Sequence, residues 1–456
     1  MIDPPWWLVI FPMAAAPVVY FLRRWRLSAY LAALVSLLTG FLAWSFPPTN
    51  PMRVLGRTFL LDPLTQQVLA LLFILAAFLF VAGAWWRQGE YLAPLGLASL
   101  SLLSVSGMSR HLGFTALTFV LAAIMAVPLI QADQTESTRG AWRFLTLIFF
   151  GLPFMLLAAW RVDMYREDPA NAIYLAEAAV FLLVGIAMWL AVFPMHGWLT
   201  GVGSYAPPVA AVFVLVAFPL MALVTLLQLM NEASWFAVSE QAKTWLLLGG
   251  VGSVVVGGLL ASVQRNLRSV FAYAALFDLG CLLIALAVLS PSNGYVFYAA
   301  FVVRALGLAL SGMAIASIRY RAGDDAFASL PGRRHPSVLV MMAWLSGGLT
   351  LAGMPLAAGF SLRWLFLGDL AVVGREWVWV VVLAGLGVMI GYVRGLYWMA
   401  VPTQDRPAGG ITLPKAVWAG RLLLAAGALL TLAIGLFPSG LLRMAASLSL
   451  LYPLPK

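Results

Sequence analysis

The sequence predicts an all-α polytopic membrane protein of about fourteen transmembrane helices, and three observations predict it. Of its 456 residues, 63% are hydrophobic and 10% charged, with a mean hydropathy of +0.97. A water-soluble fold cannot hide that much apolar surface. Apolar runs of about 20 residues, the length that crosses a hydrocarbon core, recur along the whole chain. Strand-like alternation is absent, so helices rather than a barrel must satisfy the backbone in lipid.

The segments follow in order. The opening "MIDPPWWLVIFPMAAAPVVYFLRRWR" places a first span over 6–22, with its arginines after the apolar run, the reverse of a cleavable signal peptide. Spans at 27–46 and 62–86 complete an N-terminal group of three helices over residues 1–86. Spans at 91–107, 112–131, 142–160, 173–195 and 208–230 form a first five-helix group over 91–230. A second group over 243–400 holds 243–263, 269–290, 295–318, 336–372 and 377–400, the fourth of these long and interrupted. A last span at 416–438 leads into a tail, to residue 456, that extends it or lies along the membrane surface.

Two places break the helical pattern in a related way. "AVFPMHGWL" (Ala191–Leu199), with Pro194 and His196, is followed by "APPVAA" with Pro207 and Pro208. "AGMPLAAGFSLRW" (Ala352–Trp364) carries Pro355, Gly359 and Arg363 inside one apolar run. Paired Pro/Gly interruptions in two halves are the mark of inverted repeats with functional sites at the breaks. Two ordinary proline kinks would look the same.

Charge and cysteine content exclude several functions. The single cysteine, Cys281, builds no disulfide, thiolate-held cluster or zinc site by itself, and His111, His196 and His335 show no metal-ligand spacing. No phosphate loop, dinucleotide fingerprint or Ser/His/Asp set is present. The net charge of +10 lies mostly in short loops and is not a nucleic-acid signal. With the N-terminus outside, the inside receives Arg23, Arg24, Arg26, Arg87, Arg139, Arg143, Arg265, Arg268, Arg319, Arg321, Arg333, Arg334, Arg406 and Lys415. Fewer basic residues fall opposite, so both termini are expected outside a bacterial inner membrane.

Several motifs, in order, resemble one family. "FPMHGWL" followed by "APPVAA", "GGLLASVQRNLRSVFAYAALFDLG" (Gly257–Gly280), "RALGLALSG" (Arg304–Gly312), "PLAAGFSLR" (Pro355–Arg363) and "LLDPLT" (Leu60–Thr65) are similar to signatures of the proton-translocating antiporter-like subunits. That family serves respiratory complex I (NADH-quinone oxidoreductase), membrane-bound hydrogenases and cation/proton antiporters. The length and "GYVRGLYWM" look most like the complex I branch called subunit N, with the M branch related. The resemblance implies two inverted five-helix repeats, with breaks in the seventh, eighth and twelfth helices.

It also implies a buried Glu–Lys–Lys proton relay in the first half, and here that relay is missing. Val120 stands nearest the glutamate position, Trp189 at the first lysine, and Phe218 or Pro219 at the second. The only lysines in the chain are Lys243, Lys415 and Lys456, none inside an apolar run. The cationic positions that remain in the second half are arginines, Arg304 and Arg363. A buried lysine can release its proton near neutrality, whereas an arginine holds it and acts as a fixed charge. Asp278, at the position of a family histidine, is read as an ion-pair partner for one of these arginines in preference to a proton carrier. His196 is read either as part of a proton path or as a cap on helix-end carbonyls.

The resemblance implies other membrane-arm subunits and lipids as partners, and quinone reduction driving proton translocation by the complex as a whole. This chain holds no cofactor; NADH, FMN, iron–sulfur clusters and quinone belong to partner subunits. The lost relay points to weak pumping or none. A scaffold without transport, or a subunit of a hydrogenase, cation/proton antiporter or bicarbonate-uptake complex, is the alternative.

Overall fold

The computed structural model describes residues 4–25, 27–46, 51–54, 56–132, 138–232, 240–288, 293–330, 336–401 and 415–452. His335, Arg26, Arg333, Arg334, Arg406 and Lys456 lie outside the described residues.

The N-terminal group is α1 (Trp7–Phe21), α2 (Leu27–Ser45) and α3 (Pro63–Trp85). Between α2 and α3 lies a feature the sequence did not predict, an antiparallel pair of β1 (Met52–Val54) and β2 (Arg57–Phe59). The first repeat region contains α4 (Leu92–Met108), α5 (Leu112–Ile130), α6 (Arg139–Glu167), α7 (Ile173–Trp189), the short α8 (Gly197–Tyr205) and α9 (Pro208–Glu232). The second contains α10 (Glu240–Val263), α11 (Leu267–Val288), α12 (Gly294–Ala322), α13 (Val338–Ala352), α14 (Gly359–Val373) and α15 (Arg375–Ala400). The chain continues through α16 (Lys415–Leu436) and α17 (Ser439–Leu451). Ten of the described helices are long and apolar enough to cross a membrane, and α1, α4, α7, α13 and α17 are shorter apolar helices.

The core is α9, whose residues are buried without exception from Pro208 to Gln228. A helix apolar on every side needs protein on every side. It sits among α3, α4, α5, α8 and α12, so it joins the two halves.

The two expected breaks are built alike. Both α7 and α13 end on a residue in the left-handed region, Ala191 at φ 51° and Gly353 at φ 71°. The next N–H turns back to the carbonyl five residues earlier: Val192 to Ala187 and Met354 to Leu349, each at 2.9 Å. Each turn then resumes helix at a glycine, Gly197 or Gly359. This matched construction is the expected repeat signal, stated in backbone geometry.

The break expected within the eighth helix is not seen inside α9. Pro207 and Pro208 lie at the break between α8 and α9, and Pro208 opens α9, where a first-turn proline forfeits no helical hydrogen bond. From there α9 runs unbroken through Pro219 to Glu232. The carbonyl that Pro219 cannot serve finds its donor in the site.

Candidate functional site

Asp278 stands midway along α11, a helix buried on nearly all sides. An isolated carboxylate there would be costly. Two arginines meet it. Arg304 of α12 donates through Nη1 to Asp278 Oδ2 at 2.7 Å, and Arg363 of α14 places Nη2 3.4 Å from Oδ1. The three ionisable residues singled out in the second half therefore form one cluster, with Arg304 only 1% exposed.

The terminal guanidinium nitrogens also reach backbone carbonyls, while the Nε of each arginine is buried without a hydrogen-bond partner. Arg304 Nη1 also donates to Ala275 O at 3.1 Å, and its Nη2 to Leu215 O in α9 at 3.2 Å. Leu215 is four residues before Pro219, which has no N–H to offer it. Arg304 thus supplies the donor the proline lacks, so the Leu215 carbonyl is not left unpaired inside α9. Arg363 caps a helix end: its Nη2 donates at 3.2 Å to Leu351 O, in the last turn of α13. Its guanidinium also lies 5.3 Å from the Phe277 ring centroid.

Two guanidinium groups and one carboxylate leave the cluster with one net positive charge, solvated by the three carbonyls. A cavity of about 30 Å³ adjoins Asp278, Thr350 and Arg363. It has room for about two waters. Chemically its two basic members are fixed charges, because arginine does not release its proton at any accessible pH.

The first half is closed by aromatic packing. The Trp189 ring stacks on Phe119 at 4.1 Å, and Phe119 meets Phe218 edge-on at 5.5 Å. Phe144 adds edge contacts to Phe218 at 5.1 Å and to Trp198 at 5.3 Å. Both indole N–H groups are satisfied, Trp189 by Ile148 O at 3.2 Å and Trp198 by Met188 O at 2.8 Å. The indole of Trp189 fits because α6 offers Gly151, where an added Cβ would stand 2.5 Å from Nε1. Val120 is buried nearby, but the residue of α5 that faces Trp189 is Phe119.

His196 stands in the α7–α8 turn, half-buried and stacked on Phe193 at 5.7 Å, and its Nδ1 has no partner. Among the described residues no hydrogen bond or ion pair joins it to the Asp278 cluster, and its side chain does not cap α8.

A second buried polar cluster lies at the other end of the spans. Asp62 caps α3 by accepting from Thr65 N at 2.6 Å, and it also pairs with Arg110 and accepts from Gln228 Nε2 at 3.0 Å. Arg110 reaches Glu232 at 2.8 Å. Sequence reasoning found "LLDPLT" but not Arg110 or Gln228, whose only signal is polarity at helix ends.

Matched broken helices around a buried, charge-bearing bundle define an antiporter-like membrane-domain subunit. The chain belongs to the family described as NADH:quinone oxidoreductase/Mrp antiporter, TM, which matches residues 162–391. It is 27% identical over 447 residues to the NADH-quinone oxidoreductase subunit N of Thiobacillus denitrificans, covering 91% of this chain and 90% of that one. The subunit N of Geotalea uraniireducens is 29% identical over 388 residues, covering 79% and 78%. Among solved structures, a chain of the archaeal membrane-bound sulfane sulfur reductase superposes with a TM-score of 0.84 at 18% identity, covering 98% of this chain and 97% of that one. A chain of the Mrp complex from Dietzia sp. gives 0.81 at 17% identity, covering 99% and 98%. A chain of respiratory complex I from Thermus thermophilus gives 0.75 at 19% identity, covering 98% and 99%.

Proposed function

We propose that this chain is the subunit N-like antiporter subunit in the membrane arm of a complex I-type, quinone-reducing assembly, and that it moves few protons or none. Its place in such a complex rests on the relatives' names and on their coverage of nearly the whole chain. The Asp278–Arg304–Arg363 cluster carries the second part of the reading. A relay needs a group that cycles between charged and neutral, and both basic members are arginines. The first-half path is filled by Trp189, Phe119 and Phe218, and water does not stay in a gap without polar partners.

In this reading the cluster braces the two broken segments and presents a constant field to neighbouring subunits. NADH, FMN, iron–sulfur clusters and quinone are held by partner subunits. The arginine-rich end of the bundle faces the cytoplasm of a bacterial inner membrane, leaving both termini outside. Purification through a tag on this chain tests the assignment. Co-elution of soluble subunits carrying flavin and iron–sulfur clusters is expected, and elution only with other antiporter-like subunits would overturn it.

A further inference from the structure

At the arginine-rich end, α3 finishes in an unusual way. Arg87, directly after the Trp86 cap, has φ 51°, the left-handed conformation that favours glycine. Its side chain is exposed and makes no ion pair or hydrogen bond among the described residues. A residue that disfavours its backbone position and has no partner among them calls for another explanation.

Arg87 lines a cavity of about 250 Å³ together with Trp86, Gln88, Arg319 and Tyr320. Trp86 is 2% exposed, and its indole N–H has no partner. The first residue of α9, Pro208, also borders the space, so the positive end of a 25-residue helix opens onto it. Gln88 Oε1 occupies one of the free N–H groups of α9, that of Val209, at 3.4 Å. Among the described residues no carboxylate lines this cavity. Arg319 already pairs with Asp325 at 3.7 Å, so it is the Arg87 charge, the Trp86 N–H and a helix N-terminus that meet at a space with no carboxylate in its lining.

A second cavity of about 390 Å³ adjoins the first across Arg87 and Gly89. It combines Arg23 and Arg24 with the apolar side chains of Phe80 and Leu92, and Glu90 is its one carboxylate. Trp25 beside it is 66% exposed, as expected at a headgroup boundary. A donor-lined slot continuous with a basic and apolar groove matches a molecule with a phosphate at one end and hydrocarbon at the other.

We propose that these joined cavities bind one anionic phospholipid, with its phosphate held by Arg87, the Trp86 N–H and the α9 N-terminus, and its acyl region against Phe80 and Leu92. The site goes beyond the proposed function and does not depend on it.

Native mass spectrometry of the full chain, in nanodiscs of phosphatidylcholine alone or doped with phosphatidylglycerol, tests the site. The expected result is one retained phosphatidylglycerol that phosphatidylcholine does not replace. Arg87→Gly suits the left-handed backbone, so it should keep or raise the melting temperature while weakening lipid retention about tenfold, the loss of one charge-assisted contact. Trp86→Phe, which removes only the N–H, should weaken it less, and Arg265→Gln, elsewhere on the same basic end, should change nothing. Equal retention by Arg87→Gly and the parent would overturn the proposal. So would displacement of the lipid by inorganic phosphate alone at matched concentration, which would mark a soluble-anion site.

Discussion

Arg304 donates through Nη2 to the carbonyl oxygen of Leu215 at 3.2 Å, taking the place of the backbone N–H that Pro219 cannot provide. One side chain thereby joins the central helix of the first half to the buried carboxylate of the second. The bond predicts a compensation. Arg304→Met removes the donor and half of the pairing around Asp278, and should destabilise the protein by about 3–5 kcal/mol, the cost of breaking a buried pair. Pro219→Ala restores a backbone donor to Leu215 and should recover about 1 kcal/mol of that loss. Thermal unfolding of the two single variants and the double variant in detergent measures the coupling; purely additive effects would show that the bond carries no energy.

Arg304→Lys should not rescue the site. An ammonium group cannot span Asp278, Ala275 O and Leu215 O as a planar guanidinium does. The lysine variant should melt below the parent. A melting temperature equal to the parent's would count against the geometric role of the guanidinium.

The aromatic plug depends on small residues behind it. At Gly151 an added Cβ would meet Trp189 Nε1 at 2.5 Å, and at Gly185 it would meet Met155 Sδ at 2.8 Å. Gly151→Ala should cost about 1–3 kcal/mol by overpacking and should raise water accessibility around Trp189. Trp189→Phe in the same background should recover part of the loss, because the shorter ring vacates the contact. Unfolding together with hydrogen exchange at Ile148, whose carbonyl holds the indole, reads both effects.

His111 predicts a pH dependence. Its side chain caps α5 by accepting from Phe114 N at 3.3 Å. Burial, with help from the Arg57 charge, holds its pKa below the ordinary 6.5. The unfolded chain therefore takes up the proton first, so stability is present above about pH 6.5 and falls as pH drops toward the lowered folded value. His111→Asn keeps a capping acceptor without titrating and should remove this part of the acid sensitivity. Melting temperatures at two pH values bracketing 6.5 test it; an unchanged slope in the Asn variant would contradict the assignment.

The proposed orientation, argued from the arginine bias, puts both termini on the outer side. Cys281 is the sole cysteine and is buried, so the parent chain offers no background to thiol labelling. Ser447→Cys, at an exposed position of α17, should react with a membrane-impermeant maleimide added to intact cells with a permeabilised outer membrane. Labelling only after the inner membrane is opened would invert the orientation.

The spans were legible because their signal is length and apolarity, which α3, α9 and α12 display without interruption. The breaks at Ala191–Gly197 and Gly353–Gly359 were legible from proline and glycine. The hydrogen bond that satisfies Leu215 in α9 was not, since its donor is a side chain 89 residues away. Asp278, Arg304 and Arg363 stood out as charges inside apolar runs, and pairing was their expected fate. Phe119 was missed because one aromatic residue among many apolar ones has no distinguishing pattern, and Arg110 because a helix-end arginine looks like any interface anchor.

The central claim is that this subunit contributes fixed charge in place of a proton carrier. Proton translocation per electron pair, measured in liposomes containing the whole reconstituted complex, tests it most directly. The account predicts a lower ratio than that of a complex whose antiporter-like subunits all retain the Glu–Lys–Lys relay. A variant carrying Trp189→Lys with Val120→Glu, or with Phe119→Glu at the position that faces Trp189, should raise the ratio if it assembles. An undiminished ratio in the unmodified complex would contradict the account.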